Sequence, residues 1–373
     1  MTPQERFKLT LAHQVPDRLP IDFLWPRNET IHALREHFRT DSQEEVFRRL
    51  GVDFRWISVP MAYPEFARRV NGRLEGDAPG AGGEYIFHDE RTFEDHWGIV
   101  FRVGEDGKYL QWKNGPLHGK GSLQGWSPPS VVYPSVGEVA RHLAPWREFV
   151  TVTEIEFPFK LAWHLCGLED FLLAMITNPG MVEALYDHLY AFQTAKAILA
   201  ARAGYDVIAV VGDVAGQLGM MFSPALFDRY DVPRLTEMVH TVKLASPRAQ
   251  VLYHSDGNME AIIPALIRCG IDILNPIQSA CMDPAVIKRK YGAEMTLHGT
   301  ISVQDTIPDG SVEDVRNEVM SRIRTVGYDG GFIISPENSI PYDAPLANVL
   351  ALFETALQFE YSTLRGAPGG RPR

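Results

Sequence analysis

Residues 206–256, DVIAVVGDVAGQLGMMFSPALFDRYDVPRLTEMVHTVKLASPRAQVLYHSD, contain the pattern that decides the fold. An apolar run at 206–212 is followed by an amphipathic helical stretch, and a second apolar run follows at 250–256. Similar runs recur later in the chain with helical patterns between them: DILNPI (272–277), MTLHGT (295–300) and GGFIISP (330–336). Strands that alternate with helices predict βα units around a parallel sheet.

The N-terminal third of the sequence adds two strands and interrupts the alternation. PIDFLW (20–25) and FRWISVP (54–60) predict strands, and ETIHALREHF predicts a helix between them. Residues 75–135 are rich in glycine and aromatic residues that alternate with polar ones, which predicts an antiparallel β insertion. Within it, EDGK (105–108) predicts a hairpin turn.

These elements together predict the α/β class, as a (β/α)8 TIM barrel with an antiparallel β insertion near residues 75–135. The 373 residues suit a barrel with an insertion. We expect one domain over residues 1–365 and a disordered tail over 366–373. A doubly wound open sheet is the rival fold, but no glycine-rich phosphate loop follows the first strand.

Composition narrows the classes of partner. The net charge of −11 argues against binding to a nucleic-acid backbone, which requires clustered Lys and Arg. The three cysteines are far apart and have no metal-binding spacing, so neither a disulfide framework nor a cysteine-rich metal site is expected. Neither an apolar signal segment nor a run of ~20 apolar residues is present. We therefore expect a cytoplasmic protein without a nucleic-acid or membrane partner.

Polar side chains gather where the predicted strands end, which is where barrel enzymes carry their chemistry. They are Asp22 and Trp25 at the first strand, Asp213 and Gln217 after the fourth, His254 and Asp256 at the fifth, Asn275 and Gln278 at the sixth, His298 at the seventh, and Glu337 and Asn338 after the eighth. Local roles are the alternative. Asp213 could be a helix N-cap, and Asp256 could form an Asx turn. His298 could be a core histidine, and Asn338 could stabilise a turn, but turn chemistry does not require so many polar strand ends.

His254 and Asp256 are two residues apart on a strand, so their side chains point to the same side. An imidazole and a carboxylate on one face suit a divalent metal, particularly zinc, and Glu337 is the best third ligand. Alternatively, Asp256 orients His254 as a general acid or base. We predict metal ligation by His254, Asp256 and Glu337, catalytic roles for Asp213, His254, Asp256 and His298, and substrate binding by Asp22, Trp25, Gln217, Asn275, Gln278 and Asn338.

The order GDVAGQLG, HSDGN, IIPALIRCGIDILNPIQ, HGTIS and GGFIISPENSIPYDAPLANV resembles the uroporphyrinogen decarboxylase superfamily. The opening ERFKLTLAHQVPDRLPIDF is similar to that superfamily's N-terminal pattern. The resemblance covers nearly the whole chain and implies a (β/α)8 barrel. It also implies one of two activities, porphyrinogen decarboxylation or zinc-dependent methyl transfer with a corrinoid protein.

Differences from the superfamily's motifs favour the methyltransferase branch over the decarboxylase branch. The arginine-rich RQAGR-type segment of the decarboxylases is missing, and only Arg27 and Arg35 lie nearby, too few for a carboxylate-rich porphyrinogen. In the methyltransferase branch, an HxC pair and a later cysteine bind zinc. Here the pair reads His254-Ser255-Asp256, and Glu337 or Asn338 stands where the later cysteine is expected.

The exchange of thiolates for carboxylates suggests a harder zinc site that activates oxygen rather than sulfur. We therefore predict a corrinoid-dependent methyltransferase of the demethylating kind. It would move a methyl group from a small methoxylated or similar substrate to cobalamin on a separate corrinoid protein. Two alternatives stay open. One is a metal-independent decarboxylase or lyase for a small carboxylated substrate, and the other is a non-catalytic ligand-binding protein. The superfamily also implies a homodimer.

Overall fold

The structure is a computed structural model that describes residues 1–76 and 78–365. Its strands are β1 Phe54–Trp56, β2 Gly72–Arg73, β3 Glu84–Phe87, β4 Thr92–Glu94, β5 Val100–Val103, β6 Leu110–Asn114, β7 Val150–Glu156, β8 Val207–Val211, β9 Ala215–Gly216, β10 Gly219–Met220, β11 Gln250–His254, β12 Ile273–Asn275, β13 Thr296–His298 and β14 Phe332–Ile333. Its α-helices are α1 Pro3–Leu11, α2 Asn28–Phe38, α3 Gln43–Arg49, α4 Pro64–Ala67, α5 Val136–Leu143, α6 Pro158–Cys166, α7 Leu168–Thr177, α8 Pro179–Ala203, α9 Pro224–Tyr230, α10 Val232–Ala245, α11 Ile263–Cys269, α12 Pro284–Tyr291, α13 Thr306–Asp309, α14 Val312–Thr325, α15 Leu346–Gln358 and α16 Ser362–Arg365.

A curled parallel sheet of seven strands forms the centre of the molecule, in the order β1-β7-β8-β11-β12-β13-β14. Helices connect the successive strands, as the alternation in the sequence predicts. His254 at the end of β11 pairs with Val211 on β8 and with Asn275 on β12. Because all seven strands are parallel, their carboxyl ends meet at one edge, where the polar residues of the sequence analysis lie.

The predicted first strand, 20–25, is reduced to a single bridge between Ile21 and Ile334. The Asp22 N–H donates to the Ile334 carbonyl, and the Asp53 N–H donates to the Ile21 carbonyl, each at 2.8 Å. This segment therefore links the two edge strands, β14 and β1. Pro20 has no N–H to extend the ladder, which explains the absence of a full strand here. The (β/α)8 prediction is thus confirmed in part, as a seven-stranded curled sheet with a bridging segment.

The insertion contains the predicted antiparallel sheet, with strands β2 to β6 in sequential order. It spans residues 72–114 rather than the whole of 75–135. The predicted EDGK turn joins β5 to β6, and Gly107 adopts a φ of 76° there. Beyond β6, residues 115–135 contribute one isolated bridge, between Val132 and Ala62.

Side chains that face the inside of the curled sheet follow the two-residue period of the strands. The lower layers are apolar and closed by α1: Phe7, Phe54, Val150, Val152, Val207, Ala209, Leu252, Ile273 and Ile333 form one buried cluster. On β11, β12 and β13, the next residue on the same face toward the carboxyl end carries a polar side chain. His254 follows Leu252, Asn275 follows Ile273, and His298 follows Thr296. The core thus supports a polar layer from below.

Three further expectations concern the chain as a whole. Every helix within the two described ranges is too short or too polar to span a membrane. The predicted tail over 366–373 lies outside the described residues. The single domain over 1–365 stays a prediction.

Candidate functional site

A cavity of about 820 Å³ opens at the carboxyl ends of the parallel strands. Its wall combines strand-end residues with the insertion, which contributes residues 78–81 and Tyr109. The predicted site residues that line it are Trp25, Asp213, His254, Asp256, Gln278, Glu337 and Asn338. Acidic, basic, amide and aromatic groups therefore face one space, as expected of a ligand site.

Three of these residues form a group that could hold a metal ion: Asp213, His254 and Asp256. The Nε2 atom of His254 lies 3.9 Å from an Oδ1 atom of each aspartate. Two ligand atoms at zinc distance, about 2.0–2.1 Å from the ion, would be separated by roughly 3.4 Å. The spacing is thus close to that of a metal site in which Asp213, His254 and Asp256 each offer one donor atom.

The two aspartates are held in place by the loops that follow β8 and β11. The Asp256 backbone N–H donates to Asp213 Oδ1 at 2.8 Å, and the Asn338 amide donates to Asp256 Oδ2 at 2.6 Å. Burial raises the pKa of Asp256, an effect opposed by the charge of His254. A bound cation would favour the ionised form of this buried carboxylate.

The turn after Asp256 needs glycine. Gly257 adopts a φ of 85°, and a Cβ atom there would lie 2.5 Å from the Gly216 carbonyl oxygen. Its N–H donates to Gln278 Oε1 at 2.8 Å, and the Gln278 amide donates to Gln304 Oε1 at 3.0 Å. The predicted substrate ligand Gln278 therefore also supports this turn.

A buried chain of hydrogen bonds runs from His254 away from the cavity. Asn275 Oδ1 lies 2.5 Å from His254 Nδ1, and Asn275 Nδ2 lies 2.6 Å from His298 Nδ1. His298 Nε2 lies 3.0 Å from Asp22 Oδ2, to which the Trp56 indole N–H also donates at 3.0 Å. Asp22, Asn275 and His298 are at most 1% exposed. Their polar atoms are engaged with one another. The substrate-binding roles of Asp22 and Asn275 and the catalytic role of His298 stay predictions.

Glu337 belongs to the cavity wall but not to the three-residue metal group. Its Oε1 atom accepts hydrogen bonds from the Ser279 N–H and hydroxyl, whereas its buried Oε2 atom has no partner among the described residues. Burial raises the pKa of Glu337 to about 7. Its assignment as a metal ligand stays a prediction.

The remaining predicted residues have distinct positions. The Trp25 ring packs edge-on against the His254 imidazole, with centroids 4.8 Å apart. The φ of 41° at Trp25 is unusual for a residue other than glycine, and it indicates local backbone strain at the cavity. Gln217 is exposed in the turn between β9 and β10 and is absent from the residues that line the cavity.

Two further residues, Lys160 and Trp56, contribute to the site beyond those predicted from the sequence. Lys160, on α6, lines the cavity and makes no hydrogen bond or ion pair with any residue in the described ranges. Its position in FPFKLAW gives no signal, because an amphipathic helix commonly carries one lysine. Trp56 follows Phe54 at a period of two on β1, which could have placed its ring inside the sheet.

A parallel α/β sheet with a polar cavity at the carboxyl ends of its strands defines the class of barrel-type α/β enzymes. The family model described as uroporphyrinogen decarboxylase (URO-D) matches residues 128–359. The chain belongs to this family.

Curated relatives include proteins of two activities. A methylated-thiol–coenzyme M methyltransferase from Methanosarcina mazei is 23% identical over 197 residues, which are 52% of this chain and 49% of the relative. Uroporphyrinogen decarboxylase 2 of Arabidopsis thaliana chloroplasts is 21% identical over 241 residues, 62% of this chain and 59% of the relative. The matches thus span about half the length of these relatives.

A solved structure supports the fold over nearly the whole chain. The structure of a methyltransferase from Methanosarcina mazei aligns with a TM-score of 0.67 at 18% identity. The alignment covers 96% of this chain and 99% of that one. The insertion and the parallel sheet therefore belong to one fold that this methyltransferase shares.

Proposed function

We propose that this chain is a (β/α)8-barrel methyltransferase that removes a methyl group from a small methoxylated substrate and passes it to a corrinoid protein. The similarity to the methylated-thiol–coenzyme M methyltransferase supports the reaction type. The corrinoid partner, the homodimer and the cytoplasmic location are parts of this proposal. So is the choice of oxygen rather than sulfur as the atom that loses the methyl group.

One observation carries the proposal: a histidine nitrogen faces two carboxylates at 3.9 Å on the wall of the cavity. The donors fit zinc, since one imidazole and two carboxylates leave a fourth position open toward the cavity. All three donors are nitrogen or oxygen, and such a set is harder than a thiolate set. Zinc held by Asp213, His254 and Asp256 would act as a Lewis acid on the oxygen of the methyl ether.

The protein's own groups would complete the site. Trp25 packs against His254 and covers one side of its ring, which limits the access of water. Lys160 places a positive charge in the cavity, where it would stabilise the negative charge that remains on the oxygen after the methyl group leaves. The bonding electrons stay on that oxygen, and a proton then completes the alcohol product.

The first experiment is a zinc titration of chelator-treated protein with four matched variants, His254→Ala, Asp213→Asn, Asp256→Asn and Glu337→Gln. We expect one zinc per chain in the parent, binding weakened by at least about 100-fold in the first three variants, and near-parental binding in Glu337→Gln. Methyl transfer from methoxylated compounds to added cob(I)alamin should fall in parallel. Absence of zinc binding by the parent would overturn the proposal.

The similarity to a uroporphyrinogen decarboxylase supports a second candidate function, that of a metal-independent lyase for a small carboxylated substrate. Lys160 and Arg27, which also lines the cavity, could hold such a carboxylate. In that case His254 would act as an acid or base. Release of CO2 by chelator-treated protein, unchanged by added zinc, would favour this function over methyl transfer.

A further inference from the structure

A series of buried hydrogen bonds connects Trp56 to His254, and the chemistry of the Trp56 end fixes which atom donates and which accepts at each step. The Trp56 indole nitrogen can only donate, and the carboxylate of Asp22 can only accept when ionised. His298 Nε2, at 3.0 Å from the same carboxylate, must therefore carry a hydrogen. In the neutral ring, His298 Nδ1 is then an acceptor.

The same logic fixes the amide of Asn275 and then the imidazole of His254. The Asn275 atom that faces His298 Nδ1 must be the donating NH2 group, and the His298 carbonyl oxygen, 3.2 Å from the same atom, accepts from it as well. Asn275 Oδ1 is thereby turned toward His254. His254 Nδ1 must carry the hydrogen, so the lone pair of a neutral ring is on Nε2.

We propose that Asp22, His298 and Asn275 are positioning residues that hold His254 in the tautomer whose Nε2 lone pair faces Asp213 and Asp256. Without these three residues, a neutral His254 could place its hydrogen on Nε2, so that an N–H group instead of a lone pair would face the two aspartates. That hydrogen would occupy the position from which Nε2 binds a cation. Asp22, His298 and Asn275 prevent that arrangement. They leave the Nε2 lone pair and the two carboxylates directed at a common point, where a divalent cation would bind all three groups.

The inference deepens the proposed function and rests on it for the identity of the ion, zinc. The tautomer itself can be measured without metal. Histidine labelled with 15N, in chelator-treated protein at about pH 8.5 where an ordinary imidazole is neutral, distinguishes a protonated from an unprotonated ring nitrogen by NMR. The His254 signals are identified by their loss in His254→Gln.

The decisive variants change Asp22, which is separated from His254 by two intervening side chains. Asp22→Asn retains an oxygen acceptor for Trp56 and His298, so the direction of the chain and the His254 tautomer should be unchanged. Asp22→Leu removes the acceptor and lets the Asn275 amide reverse. We expect the His254 hydrogen to move to Nε2 in a substantial fraction of molecules, with zinc binding weakened roughly 10- to 100-fold relative to Asp22→Asn.

Asn275 gives a second, more direct comparison. Asn275→Leu removes the acceptor of the His254 Nδ1 hydrogen, whereas Asn275→Asp keeps one and should retain the parental tautomer. Asn348→Leu serves as the control, because Asn348 is also a buried asparagine but donates to the carbonyls of Ile307 and Gly310. It should leave the tautomer and the zinc affinity unchanged even if it lowers the melting temperature.

The outcomes separate the two proposals. An Nδ1–H tautomer in the parent that is lost in Asp22→Leu and kept in Asp22→Asn supports the positioning role, whether or not zinc binds. Failure of the parent to bind zinc, with the tautomers as expected, overturns only the proposed function. An Nε2–H tautomer in metal-free parent, or equal tautomer populations in both Asp22 variants, overturns the positioning role.

Discussion

Glu337 illustrates, at the scale of one residue, how burial changes a carboxyl group that has too few donors around it. The side chain is 1% exposed, and both of its hydrogen bonds, from Ser279, go to a single oxygen. Its pKa of about 7 in the folded protein exceeds the ordinary value of 4.5 because burial disfavours the charge. The folded state therefore binds an extra proton between about pH 4.5 and 7.

This difference predicts a pH dependence of stability. As the pH rises from about 4.5 through 7, folding loses up to roughly 3 kcal/mol from this group, because the proton must be released in a buried position. Glu337→Gln cannot lose a proton. Relative to metal-free parent protein, its free energy of unfolding in urea should therefore gain progressively over this interval. Glu354→Gln, an exposed control on α15, should run parallel to the parent. A Glu337→Gln curve parallel to the parent would contradict the assignment.

At the level of single residues, the sequence predicts some contacts of the site and misses others. The proximity of His254 and Asp256 follows from their spacing on a strand, and the cavity does bring them together with Asp213. The sequence favours Glu337 as the third donor, whereas the structure groups Asp213 with His254 and Asp256, because this grouping depends on the paths of two loops. The sequence also could not show that Asp22 uses its polar atoms on His298, because the two residues are 276 positions apart.

Between strand β13 and the loop after it, Gly299 makes room for the hydrogen-bonded chain. Its φ is 70°, and a Cβ atom would lie 2.6 Å from Asn275 Nδ2 and 3.1 Å from the Pro336 carbonyl oxygen. The turn after β13 thus constrains the side chain at the end of β12. This close approach between neighbouring elements is required for Asn275 to reach both histidines.

Gly299→Ala tests this dependence, and the chain offers a matched control. Gly119 has a φ of 71°, but nothing lies within 4 Å of its Cβ position, so Gly119→Ala should cost only about 1–2 kcal/mol of stability from the backbone conformation. Gly299→Ala should cost more and, by displacing Asn275, weaken zinc binding roughly 10-fold or more. Calorimetric zinc titrations of the two variants provide the comparison. Equal zinc affinities would show that the approach of Gly299 to Asn275 is unimportant.

The elements themselves were predictable to different degrees. The alternation of apolar runs and helical patterns predicts the parallel sheet, because its strands are buried on both faces and read as continuous apolar segments. The same pattern predicts a full strand over 20–25, but the structure has a single bridge there, because Pro20 has no N–H to donate. It also extends the insertion to 135, because alternation of aromatic and polar residues continues beyond the last strand at Asn114.

At the scale of the whole molecule, the insertion covers one side of the cavity and is attached to two distant segments. Lys108, in the β5–β6 hairpin, lies with its Nζ atom 2.9 Å from the centroid of the Tyr342 ring and 3.5 Å from Glu29 Oε1. Arg27 lies over the Tyr109 ring at 5.5 Å. The hairpin is therefore held to the start of α2 and to the loop before α15.

Removal of the lysine charge should loosen this attachment. Contacts of this kind contribute about 0.5–1 kcal/mol each, so Lys108→Met should increase the opening of the hairpin by roughly five-fold. Hydrogen–deuterium exchange of residues 104–109 measures this directly. Lys113→Met, which removes an exposed lysine that donates to Gln111 in the same strand, should leave exchange unchanged. The prediction fails if both variants exchange alike.

The bridge between Ile21 and Ile334 has a consequence for the order in which the protein acquires its chemistry during synthesis. The ribosome completes the three candidate ligands at residue 256, but Asp22 gains its neighbouring strand only when residue 334 has been made. A nascent chain would thus carry the donors for a long interval without the support that selects the tautomer of His254. Tight capture of an ion would therefore be delayed until the segment around residue 334 has been made.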